Sequence, residues 1–449
     1  MSETAEVTSS LGRQDLEAAV DQALAEARRR GADGAESGAS VDTGLGVSVR
    51  LGEVETLEYR QDRGIGITVY FGQQKGAANT SDLSDRAIRE MVAKACDIAR
   101  FTQADPHAGL PPAERLARDW PDLDLCHPWA LSPEMAIDLA QRCEQAARDF
   151  DRRIDNSDGA SVDTHHGVRV CGNSHGFLGS YEGTNHSISC SVLARDEQGM
   201  QRDFWYSSAR LSSALESPEA VGRRAGERTV RRLGARRLST RKAPVLFPAP
   251  LARGLIATLV GAASGPSQYR RASWLLDAVG NQVLPEWLGL VEYPHLPRAL
   301  GSSPFDGEGV ALKDNPLVES GRLSRYVLDS YSARQLGLES TGNAGGVHNL
   351  SLVGPSRGFE EMLREMDTGL LLTELMGQGI NGVTGDYSRG AAGFWVEQGE
   401  IVHPVEEITV AGNLKDMLRG IVAAGDDVDH RASVLTGSLL IEEMTIAGD

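Results

Sequence analysis

The chain has 449 residues, 41% of them hydrophobic, and a formal net charge of −18 from 45 Lys and Arg against 63 Asp and Glu. That balance excludes duplex nucleic acid or an anionic membrane as the primary partner, since both require a concentrated basic surface. The length exceeds a single hydrophobic core, so two or three domains are expected, and 50 glycines point to tight turns rather than a helical bundle.

Residues 1–10 are polar and read as a disordered tail without the basic and apolar regions of a secretory signal. Leu11 to Arg30 patterns as an amphipathic helix, with Leu16, Val20 and Leu24 on one stripe and Gly31 as its stop. Strand material follows in GVSVRLG, VETLEYRQ, GIGITVYFG and KGAANTSD. Ile65, Ile67 and Val69 alternate with small or polar residues, as in an antiparallel sheet with one covered face. Asp82 or Ser81 is the expected cap of a helix from Leu83 to Phe101, whose apolar stripe is Ile88, Val92, Ala95 and Ile98.

The Pro- and Asp-rich stretch from Gln103 to Trp129 reads as a linker. Ser132-Pro133-Glu134 supplies a cap, a first-turn proline and an early acid, opening a helix to about Phe150. Strands are expected at Gly159–His165, Gly167–Asn173, His186–Arg195 and Gly199–Ser207. Ser217-Pro218-Glu219 then opens a basic helix to about Arg237. Helix, meander, helix thus occurs twice, either as a repeat or as one economical plan used twice. The basic run Arg223 to Lys242 is a solvated helix face or a surface for a partner.

From residue 241 the pattern changes. A strand at Pro244–Phe247 leads into an apolar helix, Leu251 to Ala263, that reads as covered on most of its surface. A polar turn at Ser264–Arg271, a mixed helical piece at Ala272–Leu284 and a loop at 296–311 follow. Val318 to Leu323 has hairpin chemistry, with Ser324–Ser330 as its second strand. Further on come helices at Tyr331–Leu336, Glu360–Met366 and Asn413–Val422. Strands are expected at Gly369–Leu375, Ala391–Glu397, Ile401–Pro404, Ile408–Ala411 and within Ser433–Ala447. The fold class is α+β: an N-terminal domain over 11–240, divisible at 11–103 and 130–240, and an antiparallel-sheet-rich C-terminal domain over 241–449 around the apolar helix.

Five cysteines without CxxC spacing read as free thiols in a reducing compartment, and no run reaches the ~18 apolar residues of a membrane span. A soluble, cytoplasmic protein is expected. His165 and His166 are strand neighbours on opposite faces and cannot readily share an ion. His166, His175, His186 and Cys171 lack ligand spacing, and His295, His348, His403 and His430 are scattered. Gly-x-Ser-x-Gly occurs around Ser174 and Ser356, but the doubly wound sheet that a nucleophile elbow needs is not expected. Ser264 and Asp386 read as caps. The glycine strings 342–346 and 377–385 lack the Gly-Lys-Ser/Thr ending of a phosphate loop and suit tight turns or close backbone approach.

Three longer strings carry a resemblance: GRLSRYVLDSYSARQLGLESTGNAGG, LMGQGINGVTGDYSRGAAGFWVEQGEI and PVEEITVAGNLKDML. With them the chain resembles the TldD/PmbA family of metallopeptidase-related proteins (peptidase family U62), in its PmbA (TldE) branch. The resemblance implies a cytosolic pair of homologous subunits. In that pair a TldD-type partner holds a metal ion, expected to be zinc, through a His-Glu-x-x-x-His helix and a Cys, and hydrolyses flexible peptides such as a peptide-antibiotic leader or an antitoxin. The matching positions here are Ala257, Thr258 and Ala262, and no Cys follows Cys190, so no metal and no catalytic residue is expected in this chain. Tyr269, Arg270, Asn343 and Asp386 are candidates for the cleft or the seam with the partner, where exposed strand edges would pair with an extended peptide. A homodimeric peptide-binding or adaptor protein is the alternative, and an unrecognised site within the lone chain is a third reading.

Overall fold

The computed structural model describes residues 12–448; the expected tail over 1–10 lies outside them. Its first half contains α1 (Arg13–Arg29), β1 (Gly34–Arg50), β2 (Glu53–Phe71), β3 (Gln74–Thr80) and α2 (Asp85–Phe101). The same succession then recurs as α3 (Pro133–Arg148), β4 (Ile154–Asn173), β5 (Leu178–Arg195), β6 (Met200–Ala209) and α4 (Pro218–Arg231). The six strands make one antiparallel sheet in the order β3-β2-β1-β4-β5-β6. The two copies meet where β1 pairs with β4, from Glu36↔Asn173 to Val49↔Ala160.

Alternation places one set of side chains from these long strands on a single face. Ala35, Ala39, Val41, Val168 and Val170 pack under α1 and α2. Leu45, Val47, Val49, Ala160 and Val162 pack under α3 and α4. All four helices therefore cover the same face, in two pairs, and the other face is left for the second half of the chain. Where the sequence suggests two shorter strands, β2 and β4 each run unbroken, because neighbours pair along their length.

Several boundaries differ locally. Ser84 caps α2 by accepting the Ala87 amide at 3.3 Å, while Asp82 accepts the Ser84 amide instead. Ile98 faces outward at 48% exposure, and Met91, Cys96 and Ala99 complete the buried stripe. α4 stops at Arg231 rather than Arg237, with Gly234 at φ +74 beyond it. Arg223, Arg224 and Arg231 of its basic face are exposed, and several of its arginines also find partners within the chain. Arg224 lies over the Trp205 ring at 4.1 Å, Arg228 pairs with buried Asp203 at 3.1 Å, and Arg232 beyond the helix reaches Glu374 at 2.6 Å.

The second half comprises β7 (Arg241–Phe247), α5 (Ala249–Ala263), α6 (Gly265–Tyr269), β8 (Gly289–Glu292), β9 (Asn315–Glu319), β10 (Arg322–Leu323), α7 (Ser330–Leu336) and β11 (Leu350–Val353). It continues through α8 (Phe359–Met366), β12 (Gly369–Met376), β13 (Asp386–Glu397), β14 (Glu400–Asn413), α9 (Leu414–Arg419), β15 (Ile421–Ala424), β16 (Val434–Leu435) and β17 (Leu439–Ala447). Two sheets result, β14-β13-β12-β7-β17-β15 and β10-β9-β8-β11-β16. Leu255, Ile256 and Leu259 of α5 share one buried cluster with Val245, Phe247, Leu370 and Leu372 of the first sheet and Leu290 and Leu317 of the second. On the far side of β7, Leu246 packs with Met362, Leu363 and Met366 of α8.

The apolar helix is central and, as expected, covered on most of its surface, apart from one narrow stripe. Gly254, Ala257 and Gly261 are exposed, and small residues let a narrow stripe face outward at little hydrophobic cost. Residues 264–271 contain the short helix α6, with Pro266 in its first turn. Residues 272–284 form turns instead of a helix. Asp277 and Gly280 have positive φ, and the amides of Gly280, Val283 and Leu284 donate to Leu323 and Gly321 carbonyls of the neighbouring hairpin. That hairpin's second strand is confined to Arg322–Leu323, because Ser324 onward turns toward α7. No helix among the described residues is long and apolar enough to cross a membrane.

Close helix contact in the first half depends on Gly222 of α4. A Cβ there would stand 2.0 Å from the Cys143 carbonyl oxygen of α3, whereas one at Gly254 of α5 meets nothing within 4 Å. Gly222→Ala is expected to lower stability by about 1–3 kcal/mol despite the better helix propensity of Ala. Gly254→Ala is expected to be neutral or to stabilise by up to about 1 kcal/mol. Urea unfolding of both variants checks the pair.

Candidate functional site

The open face of the first sheet and the loops of the second half enclose a cleft. Its floor is glycine-rich, with Gly38 paired to Gly66 on one side and Cys171 on the other. Its roof consists of Ser303, Phe305, Asp306, Gly307, Ala344, Gly345 and His348. A cavity of about 770 Å³ under that roof continues into one of about 460 Å³ lined by Glu36, Thr68, Asn173 and Glu308. Gly38, Gly66, Asn79, Cys171 and Gly307 line both.

The roof is held by a buried polar network. Glu292, 3% exposed, accepts the His348 amide at 2.8 Å and Asn343 Nδ2 at 2.9 Å, and pairs with Arg325. Burial alone pushes the Glu292 carboxyl up. The His348 hydrogen bonds and the Arg325 charge outweigh it and hold the group below its ordinary range. Asp306, 2% exposed, accepts the amides of Val310, Glu308 and Ala344. Here burial wins and the carboxyl is pushed up. Deeper in, burial also raises Glu36, to which Tyr70 Oη donates at 2.8 Å, and pushes Glu308 up to about 7. The Cys171 thiol is pushed up to about 12 by burial and by the nearby carboxylates, so it remains protonated and is a poor nucleophile. The cleft offers a bare glycine floor, acids, the side chains of Arg63 and Arg169, and one histidine.

The sequence-derived candidates fall in separate places. Asn343 is buried behind the roof, bonded to Glu292 and Arg325. Tyr269 packs edge-on against Tyr331 at 6.1 Å, and Arg270 lies over the Tyr269 ring at 5.4 Å. Tyr331 in turn donates to Asp105 at 2.8 Å, so this pair sits beside the contact of the two halves. Asp386 is exposed at the start of β13 and accepts Thr384 Oγ1 and Asn413 Nδ2. Ser264, at the junction of α5 and α6, donates its Oγ to the Gly261 carbonyl and accepts no amide of α6. Ser174 Oγ accepts the Ala35 amide at 3.0 Å, and Ser356 lies on an exposed turn.

On α5, Ala257 is exposed, Thr258 Oγ1 donates to the Leu255 carbonyl at 2.6 Å, and the Ala262 carbonyl accepts from Gln268 and Ser273. Two methyls and a hydroxyl already engaged with the helix do not fit a metal ion. Nor do the dispersed histidines. His175 Nδ1 faces the Pro111 carbonyl, His186 lies between Thr164 and the His127 carbonyl, and Cys171 is on the opposite sheet face. His165 and His166 do diverge, to Asp42 and Glu182 respectively. Among the described residues one group of three metal-type donors converges, Cys126, His166 and Glu182. Linear spacing hides it, since Cys126 belongs to the linker and the other two to adjacent strands.

Three family domains match the chain: PmbA/TldA metallopeptidase domain 1 over residues 36–99, the central domain over 126–233 and the C-terminal domain over 240–448. The metalloprotease PmbA of Escherichia coli O157:H7 is 52% identical over 436 residues, spanning 97% of each chain. A metalloprotease TldD homologue of Buchnera aphidicola subsp. Acyrthosiphon pisum is 22% identical, over 82% of this chain and 80% of its own. The crystal structure of TldE from Thermococcus kodakarensis shares the fold, with a TM-score of 0.85 at 22% identity, covering 96% of this chain and 100% of that one.

Glu308 gives the cleft a pH signature. Its folded-state value lies above the ordinary 4.5, so the folded chain holds this proton more tightly, and stability falls as pH rises from about 4.5 to about 7. Glu308→Gln is expected to exceed wild type in stability at pH 8 by up to about 3 kcal/mol, with the gap closing toward pH 4.5. Melting curves across that range check it.

Proposed function

We propose a role for this chain within the family to which it belongs, the PmbA/TldD metallopeptidases: the subunit that receives flexible peptides while a TldD-type homologue supplies the metal ion and the general base. The observation that supports this reading is the donor set on α5. Ala257, Thr258 and Ala262 stand where the resemblance expects imidazole and carboxylate, and a hydrolytic zinc requires about three protein ligands with an open position.

The chain's own contribution is then binding and enclosure. An extended peptide entering the cleft meets a floor free of bulky side chains at Gly38 and Gly66, where its main chain can approach closely. Glu36 and Glu308 favour a basic or neutral peptide at the deep end. The roof over Gly345 and His348 is kept in place by Glu292, Arg325 and Asn343, which makes Asn343 a positioning residue. Tyr269 and Arg270 are proposed for the rim and Asp386 for the seam with the partner. A cytoplasmic location suits the free cysteines.

The test mixes the purified full chain with a TldD-type homologue and follows cleavage of an unfolded peptide. Cleavage is expected in the mixture and not from either protein alone. Chelator-sensitive cleavage by this chain by itself overturns the division of labour. Tight peptide binding that a TldD-type protein neither alters nor converts to cleavage favours a peptide-binding homodimer instead.

A further inference from the structure

The linker between the two helix–meander–helix copies runs along β5 just beyond the end of β6. It is pinned there on both sides of Cys126. The Thr184 amide donates to the Leu125 carbonyl at 2.9 Å, the His127 amide donates to Thr184 Oγ1 at 2.9 Å, and His186 Nε2 lies 2.9 Å from the His127 carbonyl. This brings the Cys126 thiol over the sheet face that carries His166 of β4 and Glu182 of β5. His166 pairs with Thr184, so Glu182, two residues away, is its diagonal neighbour on that face.

The three donor atoms lie within 4.8 Å of one another. His166 Nε2 is 3.3 Å and Cys126 Sγ 3.8 Å from Glu182 Oε2. Zinc bonds of about 2.0–2.2 Å to nitrogen and oxygen and about 2.3 Å to sulfur, opened at tetrahedral angles, set donors about 3.3–3.6 Å apart. The two separations from Glu182 need at most a few tenths of an ångström of closure, and Cys126 and His166 lie within 4.8 Å of each other. An open pocket of about 950 Å³ borders Cys126 and Glu182, giving an entry path and room for water as a fourth ligand. Two cations lie near the group: Arg13, 3.7 Å from Glu182 Oε1 at 47% exposure, can swing into solvent, and Arg210 is engaged with the carbonyls of Thr184, Ala299 and Leu300.

We propose that Cys126, His166 and Glu182 bind a divalent transition metal of the zinc class, a site separate from the helix where the family resemblance places hydrolysis. Binding releases the Cys126 thiol proton to solvent, and the ion staples the linker to β4 and β5. Its role is structural: it ties the linker to two strands of the second copy, on the face opposite the peptide cleft. The site is independent of the cleavage reading, because none of its residues lines that cleft.

The experiment uses the full chain, stripped with chelator and titrated with Zn²⁺ or Co²⁺. One ion per chain is expected, with a thiolate-to-cobalt charge-transfer band and a higher melting temperature with zinc. Cys126→Ala and His166→Gln are each expected to weaken binding at least ~100-fold and to remove the zinc-dependent melting shift, and the alanine variant loses the charge-transfer band. His165→Gln, on the other sheet face, retains all three signals and controls for folding. No stoichiometric ion, or an ion held equally well by the Cys126 and His166 variants, overturns the site. Running the peptide-cleavage mixture with Cys126→Ala separates the two proposals, since cleavage there is expected to stay dependent on the TldD-type protein whether or not the ion binds.

Discussion

The mutual placement of the two halves depends on a few guanidinium groups that hold the loops of one against the other. Arg334 of α7 donates to the carbonyls of His107 at 2.6 Å, Gly109 at 2.7 Å and Leu110 at 3.2 Å, turning three linker carbonyls toward one charge. Arg115 reaches back to Glu339 and the Ser340 carbonyl, and Arg210 donates to the carbonyls of Ala299 and Leu300. Hydrogen bonds to a charged group contribute about 1.5–3 kcal/mol each, and the rigid fork of Arg forms several without ordering several side chains. The cleft exists because these contacts fix the distance between the glycine floor and the roof loops.

Inside the cleft, burial and hydrogen bonding pull the acids in different directions. Glu292 has a guanidinium, an amide side chain and a backbone amide around it, so the ionised form is preferred. Glu308 has fewer compensating donors and lies near Asp306 and Asp329, so it holds a proton near neutrality. The first acid keeps the roof rigid. The second leaves the deep pocket responsive to a cationic group, whose arrival would favour the ionised form. Burial and the nearby carboxylates of Asp306 and Glu36 keep the Cys171 thiol protonated.

The doubled helix–meander–helix unit explains why both sheet faces are used differently. Four helices on one face bury alternating aliphatic residues of β1, β4, β5 and the second half of β2, leaving the opposite face available for a second domain. The linker bonds along β5 beyond the end of β6 and carries Cys126 to strands remote in sequence.

Local chemistry was legible along the chain. Ser132 and Ser217 cap their helices, Gly337 ends α7 in the left-handed conformation, and Ile65, Ile67 and Val69 take the covered face, because each depends only on neighbours within a few residues. The family strings and the absence of metal donors at Ala257, Thr258 and Ala262 could likewise be read from residue identity alone. Tertiary structure decided what needs partners far away: that 272–284 gives its amides to a hairpin 40 residues on, that α5 keeps an exposed stripe, and that Asn343 lies behind the roof. It also decided that Cys126, His166 and Glu182 converge. Hydrophobic periodicity says which side of an element is buried, but which polar groups meet across elements is set by strand register and loop crossing, and no local pattern encodes either.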